Sequence, residues 1–284
     1  MRTALIIILL TIGTLSSPAA PSTKGIDLQL LSEVTAIQPG KAFTVGLHIR
    51  HHDGFHTYWQ NPGVVGIPTQ LDWSLPDGFS AGPIQWPYPK IVDMAGHPAH
   101  GFHRDVLLMA DITPPETIDA KTVTLEANAT WMACAKSCHP DNTKLALTLP
   151  IAETSSPDTR HDQKFKNARQ ELPQPMESWN ITLLSPPNAP TIHLRLTPKA
   201  GTLHALSSLY FFSSDGQVSS DQPQQLDSPA PGTYDLVVKR AEFGPEDAAH
   251  LPGILLSSSH LGPERQKFGS INPRFPDKKT PPTP

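Results

Sequence analysis

The longest alternation of apolar and polar positions in the chain runs from residue 122 to 134. Val123, Leu125, Ala127, Ala129, Trp131 and Ala133 fall on one side of it, and Thr122, Thr124, Glu126, Asn128, Thr130, Met132 and Cys134 on the other. A period of two is that of a half-buried β-strand, and it sets Cys134 at the strand's end on the polar, accessible face. Shorter runs with the same character predict strands at 26–34, 43–49, 71–73, 105–112 and 144–151. Residues 90–104 carry Gly96, Pro98, Gly101 and three histidines without a clean period, which predicts a loop. After a polar stretch with one short helical piece at 163–172, strand signals resume at 179–184, 191–197, 205–213, 232–240 and 253–258. Turns rich in proline, glycine, serine and aspartate separate these runs, as in a smaller β-sandwich.

Composition sharpens the fold class. The chain holds 32 prolines in 284 residues, about twice the usual share of ~5%, and prolines at that density forbid long helices. The expectation is an all-β protein of two domains, at 24–152 and 178–272, joined by a linker at 153–177 and followed by a disordered proline-rich tail at 273–284. The first 19 residues read as a cleaved signal peptide. Arg2 supplies the positive charge, residues 4–15 the apolar run, and Ser17 and Ala19 the small-residue positions. That run is too short to span a bilayer, so an exported, periplasmic protein without direct membrane insertion is expected. A net charge of −4 with no basic block argues against nucleic acid as a partner.

The two cysteines, Cys134 and Cys138, are the only ones in the chain. Sulfurs this close are a disulfide, a dithiol or half of a metal site. As a staple the pair is poor: closing five residues is worth roughly 2 kcal/mol on the chain-entropy estimate, against about 3 for fifteen. A reversible dithiol, by contrast, needs short closure, because the resolving thiol must stay within reach of the mixed disulfide. Lys136 and His139 are candidates to favour a thiolate, and the bland alternative is two polar turn residues.

The string Tyr58-Trp59-Gln60-Asn61-Pro62-Gly63-Val64-Val65-Gly66-Ile67-Pro68 is more specific than the cysteine spacing. With Asp72-Trp73, Leu75-Pro76-Asp77-Gly78, Trp86-Pro87-Tyr88-Pro89, Gly101-Phe102 and the cysteine pair, it resembles the periplasmic N-terminal domain of the DsbD/ScsB family of thiol:disulfide interchange proteins. Leu209 to Phe212 and Leu251 to Leu255 resemble the second β domain of the ScsB-like branch. The resemblance implies an immunoglobulin-like β-sandwich that passes electrons, without a bound cofactor, from a membrane-embedded DsbD/ScsB-type donor to thioredoxin-like periplasmic oxidoreductases. It implies that Cys138 forms the mixed disulfide and Cys134 resolves it. It also implies a cap loop over the sulfurs. Residues 90–103 occupy that place, but 91–94 offer no aromatic side chain, leaving Asp93, Met94 and Phe102 as the candidate cap residues. Family members that continue into transmembrane helices and a thioredoxin-like domain differ from this sequence, so the donor is expected in trans.

Two rival readings come from the remaining signals. His97, His100 and His103, with His51, His52 and His56 upstream, suggest a copper or zinc site completed by the cysteines, but their spacing does not fix ligand geometry and no metal site is assigned. Most of the histidines are expected to be solvated. The alternative from another class is a non-catalytic protein-binding module with a structural disulfide. Trp59, Trp73, Trp86 and Trp131 are expected in the core. Phosphate loops and hydrolase motifs are absent from the sequence.

Overall fold

The computed structural model describes residues 23–199, 206–261 and 266–277. The predicted signal peptide and the end of the predicted tail lie outside them. The protein is built from antiparallel β-sheets. The first unit is a sandwich. One sheet runs in the order β1 (Ile26–Ser32), β2 (Phe43–His51), β8 (Asp105–Thr113) and β5 (Ser80–Ala81). The facing sheet runs β10 (Cys138–Pro150), β9 (Thr122–Cys134) and β4 (Gln70–Ser74). Leu28, Leu47, Ile49 and Leu108 from one face meet Leu125, Ala127, Ala129 and Trp131 from the other in one buried cluster. The apolar side of the 122–134 alternation is the inner face of this sandwich.

Strand β8 is apolar on both faces at Val106 to Ala110 because both are covered. Helix α1 (Asp162–Gln170) lays Phe165 and Ala168 over Leu31, Leu107 and Met109 on the outer side. Arg169 ties it there with a bidentate pair to Glu33 at 2.5 and 2.7 Å.

The segment read as a loop at 90–104 is instead a hairpin of β6 (Lys90–Met94) and β7 (His97–Phe102), which pairs further with β3 (Thr57–Tyr58). The reason lies in its two-residue turn. Ala95 and Gly96 both have positive φ, 53° and 89°, the conformation that lets a tight hairpin follow the strand twist. Gly101 has no room for a side chain: a Cβ there would lie 2.1 Å from the Thr57 carbonyl oxygen.

The second set of strands forms two sheets, β11 (Trp179–Leu183), β12 (Thr191–Pro198), β15 (Thr233–Lys239) and β14 (Gln225–Ala230), and β13 (Tyr210–Ser213), β16 (Gly253–Leu256) and β17 (Phe268–Ile271). Ile192, Leu194, Leu236 and Val238 of the larger sheet pack with Phe211 and Leu255 of the smaller. The neighbours Phe212 and Ile254 point the opposite way and belong to the first sandwich's core. Strand β13 therefore serves two cores at once. The predicted tail also begins inside the fold: Phe275 is buried in the second cluster and its amide bonds the Ala249 carbonyl. Five prolines, at 273, 276, 281, 282 and 284, carry the disorder signal, but one aromatic side chain among them suffices to anchor residues 273–277.

Candidate redox site

Strands β9 and β10 pair in a register that puts Cys138 opposite Cys134, with Cα atoms 4.1 Å apart and the sulfurs joined in a disulfide. Directly opposite residues of an antiparallel ladder approach to about 4.5 Å at their closest, so the pairing itself brings the sulfurs together. The loop between them is Ala135, Lys136 and Ser137. Strand β10 begins six residues before the predicted start at 144. Its early part holds Pro140, Asp141 and Asn142, which is tolerable because β10 lies at the sheet's edge.

Cys134 is fully buried, not accessible as the alternation predicted. The polar face of β9 becomes an interior at this end because β3 and the β6–β7 hairpin close over it. His56 and Cys134 exchange backbone hydrogen bonds of 2.9 Å in both directions. Two residues on, the Tyr58 hydroxyl donates to Cys134 Sγ at 3.1 Å, and His56 Nε2 lies 3.3 Å from the same hydroxyl. Burial pushes the Tyr58 phenol up to about 12, so it stays protonated and remains a donor. Burial, and next the charge of His103, hold the His56 imidazole below its usual value, with Asp93 opposing. Gly66 makes room for the phenol. It has a φ of 106°, and a Cβ there would come within 2.4 Å of the Tyr58 ring. Val92 and Ala99 from the hairpin complete the buried cluster around Cys134, with Val65, Met94, Met132 and Cys138 packed at its edge. Cys138 remains half-buried.

The candidate cap and tuning residues separate accordingly. Met94 packs against the sulfur cluster. Phe102 does not: it is buried in the sandwich core, stacked on Trp86 at 6.3 Å, because alternation along β7 turns it away from the cysteines. Asp93 is exposed and accepts a hydrogen bond from the Gly96 amide in the hairpin turn. Lys136 is exposed at the loop, and His139, half-buried, shares a 2.9 Å hydrogen bond with Ser137. Sequence reasoning missed His56 and Tyr58 as neighbours of the sulfur. The signal was their i, i+2 spacing, which sets both on one face of an extended segment.

Most of the described histidines are at least partly exposed, but His51, His56 and His100 are buried, and among the described residues no three His, Cys, Asp or Glu side chains are grouped to hold a metal ion. His51 Nδ1 bonds the Arg104 carbonyl, and its Nε2 lies 2.9 Å from Thr57 Oγ1. His100 Nε2 lies 3.1 Å from the Tyr210 hydroxyl in the second unit. A cleft of about 530 Å³ lined by His51, His52, His56, Val92, Asp93 and His103 opens beside the site, but the cysteines do not line it.

Burial lowers both His51 and His100 to about 4. In the unfolded chain they take up protons near the ordinary value of ~6.5. Their contribution to stability is therefore present above pH ~6.5 and lost as pH falls towards about 4, below which it no longer changes. Urea midpoints followed from pH 7 to 4 should fall by an amount worth a few kcal/mol, and His100→Gln should flatten part of that slope. An unchanged slope would remove His100 from the account.

An all-β sandwich with its disulfide set at a strand-end hairpin, under a second hairpin, defines a disulfide-bearing immunoglobulin-like module. Residues 27–150 match the family model of the thiol:disulfide interchange protein DsbD, N-terminal. Residues 27–150 thus carry a DsbD-type N-terminal domain. In fold it is similar to the N-terminal periplasmic domain of ScsB from Proteus mirabilis, with a TM-score of 0.63 at 14% identity over 92% of this chain and 96% of that one. A conserved domain protein from Bacillus anthracis aligns with a TM-score of 0.26 at 10% identity, over 90% of this chain and 89% of that one. The major pilin subunit BcpA of Bacillus cereus aligns with a TM-score of 0.27 at 7% identity, over 89% and 68%. No curated protein matches in sequence. Among the described residues no helix is long and apolar enough to cross a membrane.

Proposed function

We propose that the chain is a periplasmic thiol-disulfide exchange module of two β domains, the first carrying the reactive pair. Reducing equivalents pass through Cys134 and Cys138 between a membrane-embedded DsbD/ScsB-type component and thioredoxin-like oxidoreductases. The observation that carries this reading is the asymmetry of the pair: Cys138 is half-exposed at a strand end, while Cys134 is buried against the Tyr58 hydroxyl. In the reduced pair the Cys138 thiolate attacks the partner's disulfide, forming a mixed disulfide and releasing one partner thiolate, which takes up a proton. Cys134 then loses its proton and attacks Cys138 Sγ. The second partner thiol leaves reduced, and the Cys134–Cys138 disulfide is re-formed. Two electrons have passed to the partner, and no cofactor is required. Lys136, exposed in the loop, is available to favour the attacking thiolate.

Equilibration of the pair against glutathione tests the reading. A potential between about −270 and −180 mV, with exchange against a thioredoxin-like protein, supports it; one below about −300 mV without exchange makes the disulfide a staple. Tyr58→Phe should slow the second step, in which Cys134 releases the reduced partner, by about tenfold or more. The phenol's hydrogen bond is stronger to the thiolate that attacks there than to a thiol or a disulfide sulfur, and a bond to a charged group is worth about 1.5–3 kcal/mol, against ~1.4 kcal/mol per factor of ten. An unchanged release rate would remove Tyr58 from the redox chemistry.

A further inference from the structure

The second β unit reaches the cover over the disulfide through one buried side chain. Ser220 Oγ accepts a hydrogen bond from the Val64 amide at 3.0 Å and donates one to the Pro98 carbonyl at 2.9 Å. The notch it occupies exists because residue 63 is glycine. Its φ is 92°, and a Cβ there would lie 2.1 Å from Ser220 Oγ. Both segments that Ser220 joins carry the shield. Pro98 stands next to His97, the strand partner of Met94, and Val64 precedes Val65. Met94 and Val65 are two of the side chains packed against the sulfur cluster.

Two further bonds run the same way. Asn61 Nδ2 donates to the Ser213 carbonyl at 2.6 Å, and the Tyr210 hydroxyl meets His100 of β7. Only the turn beyond Pro98 is free: Ala95 and Gly96 are exposed, and a Cβ at Gly96 would meet open space. The second unit thus holds the cover along β7, at His100 and at Pro98 close to the turn. Met94 and Val65 pack on the same buried cluster as Cys138, so they form part of the rim past which an incoming thiol reaches the disulfide.

We infer that the second β unit is a clamp on this cover, and that Ser220 is the positioning residue through which it limits how fast a thiol reaches the disulfide. The inference deepens the exchange reading and rests on it for its biological meaning, but its test needs no partner. The probe is dithiothreitol acting on the full oxidised chain. One of its thiolates attacks Cys138 Sγ and expels Cys134 as a thiolate, which is then protonated. Its second thiol displaces Cys138, leaving the pair reduced and the reagent as its cyclic disulfide.

Ser220→Ala, which removes both of its hydrogen bonds, should raise the rate of this reduction at least about fivefold, the factor that one net bond of about 1 kcal/mol gives, with the equilibrium potential unchanged. Tyr210→Phe, which removes the hydroxyl of another tie and keeps the ring, should give a smaller rise. The increases should be insensitive to dilute urea, because urea would amplify a route through global unfolding. Rates equal to wild type in both variants overturn the clamp, as does an increase that grows with urea or comes with a shifted potential. If the rates respond as expected but no thioredoxin-like protein exchanges with the pair, the clamp stands and the exchange reading fails.

Discussion

Replacing Cys134 by serine should stop exchange halfway. Cys138 keeps its half-exposed position and still attacks a partner's disulfide, but no second sulfur remains to release the product. The expected result on mixing with an oxidised thioredoxin-like protein is a stable adduct, seen on a non-reducing gel and lost on adding reductant. Cys138→Ser should give no adduct, because Cys134 is buried beneath Tyr58, Val92 and Ala99. Turnover should fall to the uncatalysed rate in both variants. An adduct formed equally well by Cys138→Ser would reverse the assigned order, and no adduct from either would leave the pair a staple.

The second large effect concerns Trp59. Its side chain is fully buried at the meeting of both units, edge-on to Phe212 at 6.3 Å and to His100 at the same distance. Its amide bonds the His100 carbonyl at 3.0 Å, beside Tyr58 in sequence. Truncation to alanine leaves a cavity the width of an indole, and such changes cost about 3–5 kcal/mol. Urea unfolding should show that loss, whereas Trp73→Ala, at a partly buried position, should cost clearly less. A loss below about 1 kcal/mol for Trp59→Ala would show that the surroundings collapse to fill the gap.

Much of this architecture was legible because alternation reports burial directly. The apolar side of the 122–134 run is an inner face, and its neighbour β4 was placed within a residue at each end, whereas β10 starts six residues earlier than its pattern shows. What escaped was structure made by distant partners. Residues 90–104 have no period because β7 is covered on both sides, at Ala99 and His100 alike, so its pattern resembles neither a half-buried strand nor a polar loop. The burial of Cys134 was hidden for the same reason: the face it shares with Thr130 and Met132 is polar along the strand but roofed at one end. Phe102 looked like a shield by proximity in sequence, and strand alternation turned it into the core. The cysteine pair and the string beginning at Tyr58 were visible from the outset; the hydrogen bond between them is a tertiary fact, formed 76 positions apart.

The double duty of β13 bears on the order in which the molecule assembles. Phe212 and Ile254 finish the core of a sandwich whose other strands end at Pro150. A chain emerging from its N-terminus therefore has both sheets of this sandwich, and the hairpin that covers Cys134, before Phe212 and Ile254 arrive to complete its core.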